Sequence, residues 1–114
     1  MTTEPREATQ ADVEAFAAKV QAMVRTHHSS NFPRLVEMGE MPTISVMMGK
    51  RYARLVRKDR PGDKHGSAHA FVELSTGHIY KCASWAVPAK HARGNIFAEN
   101  PLAACTPYGV VYLR

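Results

Sequence analysis

The stretch from Lys81 to Asn95, "KCASWAVPAKHARGN", gathers residue types that bind phosphate. Lys81, Lys90 and Arg93 are three long cations within thirteen residues, His91 is a further titratable group, and Trp85 is the chain's single tryptophan. A guanidinium such as that of Arg93 can clamp a phosphate with two parallel N–H donors, whereas lysines act as point charges. Ser84 and Asn95 add neutral hydrogen-bonding groups, and the Trp85 indole can stack on a nucleobase. Pro88 suits the first position of a helical turn and Gly94 its end, so the spacing predicts a short basic helical turn after the central hairpin, with its first N–H groups open to an anion. The competing reading of the same residues is structural. A lone tryptophan in a small domain commonly anchors the core, and Lys90 and Arg93 on one side of a turn are commonly just solvated.

The remaining histidines offer a different chemistry. His65, His69, His78 and His91 are the raw material of a metal or acid–base site, and His69 and His91 are possible additions to the phosphate site. No HExxH, CxxC or HxH pattern organises them, and neither GxxxxGK[ST], GxGxxG nor GxSxG occurs. No metal, cofactor or catalytic residue is therefore expected, and enzymatic activity is not.

Composition bounds these readings. The chain has 114 residues, 45% hydrophobic and 22% charged, which fits one domain with a modest core. Its net charge is +5, and the excess of Lys and Arg falls after Glu40. Such a skew favours phosphate-bearing partners. The start, "MTTEPREATQ", lacks the basic end and apolar run of a secretory signal, and no apolar run is long enough to span a bilayer. A cytoplasmic protein without membrane contact is expected. In that setting Cys82 and Cys105 are read as reduced, small core residues.

The elements that must position these residues follow from patterning. Residues 1–8 read as a flexible tail and 9–114 as a single α+β domain. Thr9 caps a helix over residues 10–28, with Asp12 in the capping-box position and Val13, Phe16, Ala17, Val20, Met23, Val24 and His27 at helical spacing. One helical turn is expected around Arg34 to Met38. "TISVMM" and "RYARLVRKD" read as strands joined at Gly49-Lys50; in the second, Tyr52, Arg54 and Val56 share one face and Ala53, Leu55 and Arg57 the other. "SAHAFVEL" and "HIYKCAS" read as a hairpin in which Leu74 pairs with His78. That register sends Ala70, Val72, Leu74, Tyr80 and Cys82 to the core, and His69, Phe71, Glu73, Ile79 and Lys81 to the opposite face. Asn100 and Pro101 begin a short turn, "PLAAC", and "YGVVYL" closes the chain as a strand. The fold class is α+β: one long N-terminal helix packed on an antiparallel sheet of about five strands.

"GSAHAFVELSTGHIYKCASWAVPAKHARGNIF", with the later "NPLAACTPYGVVYL", resembles a group of small bacteriophage proteins. Their shared pattern is a hydrophobic strand, a TG turn and "YKAASWKAPAKxxRGNI". The resemblance covers residues 65–113; Lys81, Ser84, Trp85, Pro88, Ala89, Lys90, Arg93, Gly94 and Asn95 match it. Cys82 and Val87 stand where the pattern has Ala, and Ala86 replaces a Lys. The resemblance implies a setting, the cytoplasm of an infected bacterium, and no activity. The leading expectation is a non-enzymatic phage-type protein that binds nucleic acid or a nucleotide and counters host defence or host machinery. The alternative is an accessory or inhibitor protein that binds a host protein or its own copies; a histidine-dependent enzyme is third.

Overall fold

The computed structural model describes residues 6–59 and 66–110. The expected loop at 60–65, with His65, and the end of "YGVVYL" lie outside the described residues. The first helix, α1, spans Gln10–Asn31. Its capping box forms as read: Thr9 Oγ1 accepts from the Asp12 N–H at 3.2 Å, and Asp12 Oδ2 accepts from the Thr9 N–H at 3.0 Å. Thr9 N–H and the Thr9 hydroxyl both donate to Asp12 Oδ2 at 3.0 Å, and these two bonds hold the Asp12 carboxyl below its ordinary range. Val13, Phe16, Ala17, Val20 and Val24 form the buried stripe. Burying each of the larger of these contributes about 1.5–3 kcal/mol. The helix runs on to Asn31 because Phe32 N–H still donates to His28 O at 2.7 Å, and Pro33 then starts α2, Pro33–Glu37. Residues 6–8 are no loose tail. Ala8 is buried, and Arg6 and Ala8 donate backbone bonds to Thr76 O and Leu74 O.

Five strands form one antiparallel meander in the order β1 (Thr43–Met48), β2 (Tyr52–Lys58), β3 (Ser67–Glu73), β4 (His78–Cys82) and β5 (Pro88–Asn95). α1 covers one face: Ala53, Leu55, Ala70, Val72 and Ile79 join its stripe in a single core, with Ile96, Ala104 and Val110. After the sheet come a 3-10 turn at Pro101–Ala104 and a two-stranded ribbon of β6 (Cys105–Thr106) and β7 (Gly109–Val110). Asn100 precedes the 3-10 turn without a side-chain cap bond.

Three expectations are corrected. The β1–β2 turn centres on Lys50-Arg51, because Gly49 N–H bonds to Tyr52 O; the shift is two residues in register, so the faces of β2 stand as read. In the β3–β4 hairpin Val72 pairs with Ile79 and Phe71 with Tyr80. The loop is one residue longer than expected, Leu74 to Gly77, and a one-residue slip exchanges the faces of the second strand. Ile79 is fully buried in the core, Lys81 shares its side, and Tyr80 and Cys82 take the opposite face. Gly77 makes that loop possible: its φ is +80°, and a Cβ there would lie 2.7 Å from the Phe97 ring.

The third correction concerns the basic helical turn. Residues 88–95 are β5, the fifth strand of the sheet, and the C-terminal segment belongs to the separate ribbon. A helix of so few residues is marginal on its own, whereas β4 presents an edge of backbone groups to be paired. The Ala83 and Ser84 N–H groups both donate to Val87 O, which turns the chain back onto that edge. Pro88 is tolerated at the strand's first residue. Gly94 lets β5 approach the 3-10 turn; a Cβ there would stand 2.7 Å from the Ala104 Cβ.

Candidate functional site

The sheet face away from α1 is built by residues that alternate with the core positions of β2 to β4. Phe71 is its floor, 3% exposed and outside the core under α1. Tyr52 stands edge-on to both Phe71 and Tyr80, at ring separations of 6.1 and 5.9 Å. Burial and the nearby Glu73 charge push the Tyr80 hydroxyl up from its ordinary pKa. The Arg54 guanidinium lies 4.5 Å from the Trp85 ring centre and 5.6 Å from that of Phe71, so Trp85 is clasped onto this face while remaining 44% exposed. Arg54 Nη1 also points at Met47 Sδ, at 3.8 Å.

The electrostatics of Arg54 are unusual. Among the described residues no carboxylate lies within ion-pair distance of it, and its Nε is buried without a hydrogen-bond partner. A buried guanidinium nitrogen ordinarily has an acid or carbonyl to satisfy it. Two further cations share its cleft: Arg54, Lys50 and Arg51 line one space of about 350 Å³ with Met47, Tyr52, Phe71 and Ala86. Arg51 is held by Glu73 at 3.4 Å and lies over Tyr52. Glu73 is in turn bonded by Thr76 Oγ1 at 2.8 Å.

The residues expected at the site are dispersed. Lys81 points to the α1 side, where its Nζ donates to Val110 O at 3.1 Å, so Lys81 and Trp85 stand on opposite faces. Strand alternation decides this; the slipped register reverses the expected placement of Lys81. Ser84 is exposed in the turn that leads into β5. Lys90 and His91 are exposed on β5, and Arg93 Nη1 donates to its own strand at His91 O. Asn95 is buried and structural: its Nδ2 donates to Thr76 O at 2.9 Å and its Oδ1 accepts from Phe97 N–H at 2.8 Å. His69 is 4% exposed. Leu55 pairs with Ala70 and Val56 with Ala68, which leaves His69 as the extra residue of a bulge. Neither of its ring nitrogens has a hydrogen-bond partner, and burial, reinforced by the Arg57 charge, lowers its pKa to about 4.

Of the expected set, only Trp85 belongs to the open-face cluster. Sequence reading missed Arg54, Tyr52, Phe71 and Tyr80 as a unit. The available signal was the pairing of Tyr52 and Arg54 on the face of β2 away from Ala53 and Leu55. Among the described residues no group of three or more His, Cys, Asp or Glu is arranged to hold a metal, and no helix is long and apolar enough to cross a membrane.

Fold and site together define an α+β protein whose single long helix covers one face of a five-stranded sheet, leaving an aromatic and cationic cluster on the other. The chain belongs to a family of unknown function (DUF7717), which matches residues 1–107. No curated protein and no solved structure matches it.

Proposed function

We propose that this chain is a non-enzymatic binding protein for a phosphate-bearing ligand with an unpaired base, a nucleotide or a single-stranded nucleic acid, taken up at the cleft that Arg54 lines, with Trp85 beside it. The observation that carries the reading is Arg54: a guanidinium stacked on Trp85 and Phe71, without a carboxylate partner among the described residues, on the wall of a cleft that also holds Lys50 and Arg51. An anion supplies what that group lacks. The cleft's volume of about 350 Å³ falls within the range of small-ligand sites. An exposed indole beside it offers a stacking surface worth ~1–3 kcal/mol per base. The net charge of +5 acts in the same direction at longer range. The likeness to small bacteriophage proteins supports a setting in an infected bacterial cell, with host defence or host machinery as the process acted on.

Trp85 is the only indole, so its fluorescence reports on the site directly. The test titrates the protein with a single-stranded oligonucleotide, its duplex and a cyclic dinucleotide at two salt concentrations. The unpaired strand or the dinucleotide should perturb the emission, and affinity should fall as salt rises. Arg54→Met should weaken binding roughly ten- to a hundred-fold, the scale of one charge-assisted contact. Arg54→Lys should do nearly as much harm, since it keeps the charge but loses the planar stack. Parental affinity in folded Arg54→Met refutes the assignment.

A further inference from the structure

The two edges of the sheet differ in character. β5 carries Pro88, Lys90, His91 and Arg93, and its pairing with β4 is irregular at two places. Proline, charge and bulges are the devices that discourage edge-to-edge pairing. β1, "TISVMM", has none of them: it is uncharged, lacks proline, and pairs with β2 without interruption from Thr43 to Met48.

The backbone groups that β1 offers follow from its register. Gly49 N–H bonds to Tyr52 O, so the odd-numbered positions of β1 point at β2 and Ile44, Val46 and Met48 point outward. Ile44 N–H accordingly donates to Gln21 Oε1 at 2.6 Å, while Gln21 Nε2 donates to Pro42 O at 2.9 Å. The Gln21 carboxamide, projecting from α1, thereby occupies one end of the edge as a neighbouring strand would. No described residue bonds to the outward N–H or C=O of Val46 or Met48. Met47 and Met48 are 50% and 41% exposed.

We propose that β1 pairs antiparallel with β1 of a second copy of this chain, about a two-fold axis at Met47. In that register Val46 of each copy exchanges both backbone bonds with Met48 of the other, and the Gln21 bridge stays intact. A two-fold centred on Ser45 or on Val46 instead requires the Ile44 N–H, which Gln21 already holds. The occupant is a second copy because the open segment is self-complementary. Its two donors and two acceptors, two residues apart, meet their own counterparts when rotated. β1 itself brings no charge to the pairing. The pairing is inferred from backbone geometry alone and does not rest on the proposed ligand.

The test is a cross-link. Met47 faces Met47 of the second copy as a non-hydrogen-bonded pair, with Cα atoms about 4.5 Å apart, inside disulfide range. In a Cys82→Ala/Cys105→Ala background, Met47→Cys should oxidise to a covalent dimer, while Ser45→Cys, which faces Gly49 of the other copy, should not. Sedimentation of the parent should approach twice the monomer mass as concentration rises, and Met47→Lys should stay monomeric because two ammonium groups meet at the axis. A parent that remains monomeric at every concentration refers the edge to a strand of another protein and overturns the proposal. Equal cross-linking through Ser45→Cys overturns the register. The cross-link decides the matter even where Met47→Lys fails to fold.

Discussion

A buried imidazole that resists protonation makes this fold acid-sensitive in a defined window. His69 has a pKa lowered from 6.5 to about 4, first by desolvation and then by the Arg57 guanidinium. As pH falls below about 6.5 the unfolded chain takes up the proton before the folded one, so stability is full above that pH and is lost as pH falls toward 4. With each pKa unit equal to ~1.36 kcal/mol, the whole window is about 3 kcal/mol, of which about 2 is lost by pH 5. Against the ~5–15 kcal/mol net stability of a domain that is a large fraction. The assay is urea denaturation of the parent and His69→Phe at pH 7.5, 6 and 5. Phenylalanine fills a similar space, removes the two unpartnered nitrogens and cannot titrate. The other titrating groups act alike in both proteins, so the difference isolates this side chain. The variant should gain about 2 kcal/mol on the parent between pH 7.5 and 5. Parallel pH profiles refute the reasoning.

Two further expectations rest on packing. Gly94→Ala should destabilise by ~1–3 kcal/mol through its contact with Ala104, and adding Ala104→Gly should restore much of the loss in melting temperature; no rescue refutes the contact. Burial pushes the Cys82 and Cys105 thiols up to about 11, so at pH 8 both should react with a thiol reagent far more slowly than in urea, and the Cys82→Ala/Cys105→Ala variant should fold; rapid native labelling contradicts this.

What the sequence discloses depends on whether one face of an element is polar. α1 was legible because its capping box and its stripe from Val13 to Val24 agree, and its other face is charged. β2 was legible because a shift of two residues leaves its faces unchanged. The β3–β4 hairpin was not, since both faces of the sheet are apolar there: Phe71 and Tyr80 on one side are as hydrophobic as Val72 and Ile79 on the other. Alternation then carries no information, and the loop length decides. β5 was hidden for the opposite reason. Proline, two cations and a glycine read as a turn, yet that composition is what a protected edge strand requires. Trp85 reads as chemistry, but its partner Arg54 lies in a strand that reads as scaffold.

Counting cations misdirects because a sheet sorts them by face. Lys81 turns to the α1 side and fastens Val110 O, while Arg57 fastens Pro107 O and lies over the Tyr108 ring. The two-stranded ribbon is held to the sheet in part by these cation–carbonyl bonds, so a share of the chain's positive charge is structural. Arg51 is matched by Glu73. Arg54 has aromatic faces and a thioether around it in place of an acid, and the proposed function rests on that. Met47 supplies the thioether, lines the same cleft, and stands at the proposed two-fold axis. Pairing through β1 therefore sets two clefts side by side on one continuous open face. A ligand whose contact with Met47 differs between the paired and unpaired chain shifts the pairing, and linkage then requires that pairing change the affinity for that ligand by the same factor.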